Sequence, residues 1–357
     1  MRSPALCIVL VVSSWTPAFA QIIPFDSDRW QIQGATSVRL VYEGQDALYL
    51  KGASAAMVDT PIENGVIEFD IAFSTQRGFS GVFWRMEDDG DREEFYFRPH
   101  QSGNPDANQY NPVLSGVAGW QLYYGPSYAA PIRYRYNEWI HVRVIFSGSV
   151  ADFYVDSEEP VLSVNLKNPP IAGSFGIYAS GFAPAYFANF QYRGLDRPVV
   201  MGAPVPEATA PEGAVMLWDV SSSFDREQLE GMVDLPAAFD DTLSWTSARV
   251  ETTGIVNFCR HASFGPERNT VLARTTFTVD APTVRVLRFG YSDRAAVYLN
   301  GLLVYRGSND YQSRDYRYLG TIGLFDEVPL RFREGRNELT VAVSESFGGW
   351  GLIATLE

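Results

Sequence analysis

Short stretches in which apolar and polar residues alternate recur along almost the whole chain, separated by Gly, Pro, Asn or Asp. A period of two marks a half-buried strand, because successive side chains point to opposite faces of a sheet. In Val66 to Phe73 (VIEFDIAF), Ile67, Phe69, Ile71 and Phe73 share one face, which is expected to meet the core. Val66, Glu68, Asp70 and Ala72 share the other. Similar patterns predict strands at Gly81–Arg85, Glu94–Arg98, Trp120–Tyr124, Trp139–Phe146, Ala151–Val155, Phe175–Ala179 and Phe187–Tyr192. In the second half, Ala295 to Tyr305 sets Asn300-Gly301 between two apolar runs, a strong local hairpin signal. Arg285–Phe289, Leu339–Val343 and Leu352–Thr355 add further strands. Helical periodicity is nearly absent, the main exception being a weak pattern over Ser223 to Met232.

Between Asp196 and Gly213 the alternation stops, and the segment DRPVVMGAPVPEATAPEG holds four prolines and several small residues. It reads as a linker. The 357 residues then divide into an N-terminal segment (1–20), a first sandwich (21–195), the Pro-rich linker (196–213) and a second sandwich (214–357). The expected fold class is all-β, with two antiparallel β-sandwich (jelly-roll) domains in tandem.

Residues 1–20 follow a secretory pattern: Arg2 at the start, an apolar run from Leu6 to Val12, and a small-x-small site at Ala18-Phe19-Ala20. The mature chain is expected to begin near Gln21, in the periplasm or outside the cell. The run is too short to span a bilayer, so no membrane insertion is expected. Cys7 lies ahead of most of the apolar segment, which argues against lipidation.

Losing Arg2 and no acid takes the formal charge from −14 to −15. A surface this acidic repels phosphate backbones and argues against nucleic-acid binding. Cys259 is then the remaining one of 2 cysteines. A lone thiol forms no internal disulfide, so stability must come from packed sheets, and Cys259 reads as a small core residue.

Particular stretches carry a resemblance. IEFDIAF (Ile67–Phe73), GVFWR (Gly81–Arg85), EEFYFRPH (Glu93–His100), NEWIHVRVIFSGSVADFYVD (Asn137–Asp156) and GSFGIYA (Gly173–Ala179) resemble the concanavalin A-like lectin/glucanase superfamily. The likeness is to its laminin-G-like and 3-keto-disaccharide-hydrolase-like branches, over about Ile22 to Gly194. LWDVSSSF (Leu217–Phe224), SDRAAVYLNGLLVYRG (Ser292–Gly307) and LRFREGRNELTVAVSESFGGWG (Leu330–Gly351) are similar to galactose-binding-like jelly rolls. Both resemblances imply a carbohydrate context. Family-16 glucanases of the same superfamily carry E-x-D-x-x-E on one strand, whereas Glu68 and Asp70 here are followed by no third acid. The paired carboxylates of retaining hydrolysis lack their usual source.

The least generic segment is Glu93 to Pro112, EEFYFRPHQSGNPDANQYNP. Read as a strand, it puts Glu94, Tyr96, Arg98 and His100 on one face and Phe95, Phe97 and Pro99 on the other. A loop rich in Gln101, Asn104, Asp106, Asn108 and Gln109 follows, then Tyr110. Sugars call for planar polar groups toward their hydroxyls and an aromatic ring against their C–H face. Tyr96, Arg98, His100, Asn104, Asp106, Gln109 and Tyr110, with Trp120, Gln121 and Tyr123 and also Tyr124, are the candidate carbohydrate-binding residues. The same residues would serve structure alone if they tied a long loop to the sheet, with Trp120 in the core.

Glu94 and His100 are the candidates for proton transfer. His141 and His261 read as structural, since a Cys259-x-His261 pair is far short of a zinc motif. The acidic run Glu87 to Asp91 resembles a calcium loop in composition without the spacing, and a solvated turn fits it better. No metal centre and no cofactor are expected, structural calcium being the one alternative. No nucleophile elbow, phosphate loop, dinucleotide fingerprint or zincin helix is present. In the second half, Asp293, Arg294, Asn300 and Trp350 are assigned to structure. Three functions fit: a secreted lectin-like carbohydrate-binding protein, a glycoside-processing enzyme of the 3-keto-disaccharide hydrolase type, and an envelope scaffold for an unknown protein partner.

Overall fold

The computed structural model describes residues 22–357 apart from 89, 237, 238, 240 and 311. The expected export segment, residues 1–20 with Gln21, lies outside the described residues, as does Asp89 of the acidic run.

The first half forms β1 (Trp30–Tyr42), β2 (Gln45–Ile62), β3 (Gly65–Ala72), β4 (Ser80–Met86), β5 (Arg92–Phe97) and β6 (Asn108–Leu114). It continues with β7 (Val117–Ala118), β8 (Ile140–Ser147), β9 (Val150–Val155), β10 (Leu162–Asn165), β11 (Gly173–Ala179) and β12 (Ala185–Gly194). All pair antiparallel in the order β10-β9-β8-β3-β12-β2-β11-β4-β5-β6-β7, with β1 beside β2. This one sheet doubles over at β2. Ala47–Leu50 of β2 pair with β12, while Ala53–Ile62 pair with β11. Gly52, at the changeover, takes φ +58°, which costs glycine little.

The fold-over brings strands from opposite ends of the sheet face to face. Phe95 of β5 stacks on Phe153 of β9 at 4.2 Å, and Trp84 of β4 meets Phe146 of β8 at 5.6 Å. In β3, Ile67, Phe69 and Ile71 are fully buried, as the alternation requires.

The second half forms β13 (Leu217–Ser221), β14 (Trp245–Arg249), β15 (Ile255–Asn257), β16 (Thr270–Val279) and β17 (Thr283–Ser292). β18 (Arg294–Leu299), β19 (Leu302–Ser308), β20 (Asp326–Phe332), β21 (Gly335–Ser344) and β22 (Gly351–Leu356) complete it. One sheet runs β14-β13-β16-β21-β18-β19 and the other β15-β22-β17-β20. Trp218, Phe289 and Trp350 lie in the core between them. β18 and β19 form the expected hairpin, with Asn300 and Gly301 at φ +52° and +83°.

Three expectations are corrected. Trp120–Tyr124 is a turn, not a strand, because the N–H groups of Leu122 and Tyr123 bond back to the Gly119 carbonyl. The polar loop ends earlier than expected, and Asn108 and Gln109 open β6. Their amides hid the strand because both are buried and hydrogen-bonded, Asn108 to both backbone groups of Ala130. Ser223–Met232 holds a single 3₁₀ turn, Arg226–Leu229, capped by Asp225.

Segment 196–213 contains no strand. It lies against the first sandwich, where Met201 and Gly202 donate N–H groups to Asp152 at 2.6 and 2.9 Å, and Glu207 pairs with Lys167 at 2.7 Å. The two cores meet at the domain boundary: Ile255 and Ile322 join the first, Leu114 and Val117 the second.

Candidate ligand groove

Strand register lays two rows of side chains across the outer face of the layer formed by β1, β2, β11, β4, β5 and β6. One row runs Gln33, Ser54, Tyr178, Gly81, Tyr96, Gln109. Its neighbour runs Gln31, Ala56, Gly176, Phe83, Glu94, Asn111. Alternation along β5 sends Glu93, Phe95 and Phe97 into the core and leaves Arg92, Glu94 and Tyr96 on this face. From these rows Tyr178, Tyr96, Glu94 and Asn111 line a groove of about 430 Å³, within the usual range for ligand sites.

At one wall stand Phe79 and Phe182, ring centroids 5.7 Å apart and nearly perpendicular, with Arg77 beside them. Phe182 is 62% exposed. Trp120 forms the opposite wall, edge-on to Phe347 of the second domain at 5.4 Å. Gln312, Ser313, Leu319 and Gly320, also from the second domain, close that side. Beyond Tyr178 the groove continues into a hollow of about 520 Å³ lined by Gln31, Gln33 and Ser54. From β1 to β6 the face is about 24 Å wide at ordinary strand spacing.

Glu94 sits at the centre and is 5% exposed. Arg92 donates to its Oε1 through Nε at 2.8 Å and Nη2 at 2.6 Å. Tyr178 donates to Oε2 at 3.2 Å and Asn111 at 3.4 Å. Both carboxylate oxygens are therefore occupied. Among the described residues, Glu94 is the one carboxylate that lines either hollow.

Arg98, 1% exposed, anchors a second network. It donates to the Tyr96 hydroxyl at 2.6 Å, to the Asp106 carbonyl at 3.0 Å and to Gln109 Oε1, and its guanidinium lies 3.7 Å from the Asp106 carboxylate. Burial raises the Tyr96 phenol above its ordinary pKa, and burial followed by the nearby Glu94 charge raises that of Tyr178. Both phenols stay neutral, able to donate and accept.

The structure brings Glu94, Tyr96, Arg98, Trp120 and Gln121 together along the groove. Other candidates lie elsewhere. β5 ends at Phe97, and Pro99, which lacks an N–H, opens a 3₁₀ turn that carries His100 off the strand face. The His100 ring packs edge-on against Phe79 at 5.6 Å, and neither nitrogen has a hydrogen-bond partner. Burial, helped by Arg77 and Arg98, pushes its pKa down to about 4. Asn104 is exposed on its loop and bonds to Gln101.

Asp106 accepts the Leu319 N–H of the second domain at 2.7 Å. Gln109 is held beneath the groove by Tyr96, Arg98 and the carbonyls of Trp120 and Tyr123. Tyr110 is in the core, donating to Glu93 at 2.6 Å. Tyr123 bridges the domains through Glu251 at 2.6 Å and Asn257 at 3.1 Å. Gln121 likewise reaches across, to the Phe347 carbonyl at 3.2 Å and Asp293 at 3.4 Å. Between β4 and β5, the described residues of the acidic run are tied by the Glu87 N–H to the Asp91 carbonyl and the Gly90 N–H to the Glu87 carbonyl.

Arg77, Phe79, Arg92, Asn111, Tyr178 and Phe182 complete the groove without having been expected there. Tyr178 was within reach, since alternation in GSFGIYA puts it opposite Phe175 and Ile177. Phe182 and Arg77 sit on loops with no periodic signal.

No family model matches the chain, and no curated protein matches it. Several solved structures show a distant likeness to about half of the chain. Carbohydrate-binding module CBM66 from Bacillus subtilis is 16% identical, with 46% of this chain and 94% of that one covered at a TM-score of 0.37. A β-1,3-1,4-glucanase (lichenase) from a mouse hindgut metagenome is 11% identical, covering 50% and 99% at 0.38. A galectin-like protein of unknown function from Bacillus subtilis is 10% identical, covering 50% and 95% at 0.36.

Proposed function

We propose that this chain is an exported carbohydrate-binding protein whose groove holds a saccharide between the Phe79/Phe182 wall and the Trp120/Phe347 wall. One observation carries the reading: aromatic walls flank a floor of polar side chains already locked by their own hydrogen bonds. Sugars present apolar C–H faces and hydroxyl edges at once, and this arrangement meets both at low cost in side-chain ordering. The hollow beyond Tyr178 provides for a chain of sugar units rather than a single ring.

A glycoside-processing enzyme is the second reading, and it rests on Glu94 at the centre of the floor. Against it, hydrolysis with retention or inversion uses two carboxylates, and the groove lining offers Glu94 alone among the described residues. His100 has no orienting partner and does not line the groove.

Glycan-array screening followed by calorimetry on the purified mature chain tests the proposal. Phe182→Ala, at an exposed ring, is expected to weaken the best ligand about tenfold without shifting the melting temperature. Uniform lack of binding to diverse neutral and acidic glycans would overturn the reading. Turnover abolished by Glu94→Gln in a folded protein would favour the enzyme instead. Export predicts a mature N-terminus at Gln21 by intact mass.

A further inference from the structure

We infer that the groove prefers a saccharide carrying a ring carboxylate, an acidic sugar of the uronate kind, with Arg77 as the residue that reads the charge. The inference rests on the carbohydrate-binding reading and narrows its ligand class.

The chain carries a formal charge of −14, yet among the described residues its groove is lined by Arg77, Arg92 and Arg98 against Glu94 alone. Two of these arginines are neutralised locally. Arg92 is paired with Glu94 at 2.6 Å and Arg98 with buried Asp106 at 3.7 Å. Arg77 has no carboxylate or hydrogen-bond partner among the described residues, and it is exposed. What holds it is aromatic: its guanidinium carbon lies 5.9 Å from the Phe79 ring centroid and 5.8 Å from that of Phe182.

A cation resting on apolar rings at the edge of a groove is less hydrated than one in open water, which strengthens its attraction for an anion. A sugar ring stacked on Phe182 would bring its substituents to the side where Arg77 stands. Of the groups a sugar ring can bear, a carboxylate matches the planar fork of guanidinium with two parallel hydrogen bonds. A neutral hydroxymethyl at the same position offers a single oxygen and no charge. The acidic remainder of the surface then acts as a filter, since an anion is welcome in the groove and disfavoured elsewhere.

The test uses matched oligosaccharides of one linkage that differ only in oxidation at the exocyclic carbon: β-1,4-glucan against β-1,4-glucuronan and β-1,4-mannan against β-1,4-mannuronan tetrasaccharides. Calorimetry of the full mature chain is expected to show about tenfold tighter binding of the acidic member in at least one pair. Arg77→Ala should bring that ratio close to one, Arg77→Lys should restore part of it, and the ratio should shrink as salt is raised. Equal affinity for both members, preference for the neutral one, or a ratio unmoved by Arg77→Ala would overturn the inference while leaving carbohydrate binding intact. A sulfated glucan that matched the glucuronan would overturn the carboxylate assignment. No binding to any member would overturn both readings.

Discussion

The indole of Trp120 rests against Gly348 of the second domain, so closely that a Cβ at that glycine would stand 2.5 Å from the ring carbon Cζ2. The glycine also takes φ +112°, which side chains rarely adopt. Gly348→Ala should displace the indole, loosen the domain boundary and cost about 1–3 kcal/mol. Urea unfolding measures the loss, and the tryptophan emission of the folded variant should move to the red. An unchanged midpoint with unchanged emission would show that the ring is not gripped there.

Glu94 holds Arg92, Tyr178 and Asn111 in place at the groove floor. Glu94→Gln leaves a guanidinium without its charge partner, an asymmetry that costs more than the net worth of the pair. Because Arg92 is partly exposed, about 2 kcal/mol is expected, together with weakened saccharide binding as Tyr178 and Arg92 relax. Calorimetry and urea unfolding of the variant read the two effects separately.

Stability should rise as pH falls from 8 to 6.5. Burial pushes Glu93 up to about 7 against an ordinary 4.5, and burial with the nearby Asp293 charge raises Glu345 well above its usual range. In this window the folded chain takes up protons that unfolded carboxylates do not, so acidification favours folding and stability is lost as pH rises through the folded values. His141, raised through its hydrogen bond to Asp70, acts in the same direction. His100 and His261, lowered by burial, oppose this in the lower part of the window, because unfolded imidazoles are already half charged at about 6.5, and their opposition grows below it. Glu93→Gln should flatten the slope. A urea midpoint higher at pH 8 than at pH 6.5 would contradict the argument.

Burial pushes the Cys259 thiol up to about 12, so the folded chain should not react with a thiol reagent at pH 8. Unfolding in urea should release one reactive thiol per chain if residues 1–20 have been removed, and both of the 2 cysteines if they have not.

Legibility in the sequence followed the range of the interactions involved. The core face of β3 was readable because alternation is written in consecutive residues. The β18–β19 hairpin was readable because Asn300-Gly301 suits positive φ at both turn positions. β6 escaped because buried amides break the apolar pattern while meeting their hydrogen bonds across the fold. The long β1–β2 ribbon escaped because most side chains of β1 face solvent, so no apolar rhythm marks it.

The candidate site divides along the same line. Glu94, Tyr96 and Arg98 could be placed together from the strand that carries them. Their pairing with Tyr178 depends on β5 lying beside β4 and β4 beside β11, an order that the fold-over at β2 imposes. The second wall depends on contacts still farther apart in the chain, such as Leu319 on Asp106 across 213 positions. Secondary structure, the two all-β halves and one polar strand face belong to local pattern, because backbone geometry answers to neighbouring residues. A groove with two walls belongs to packing, because it comes into being where the doubled sheet and the second core fit against each other.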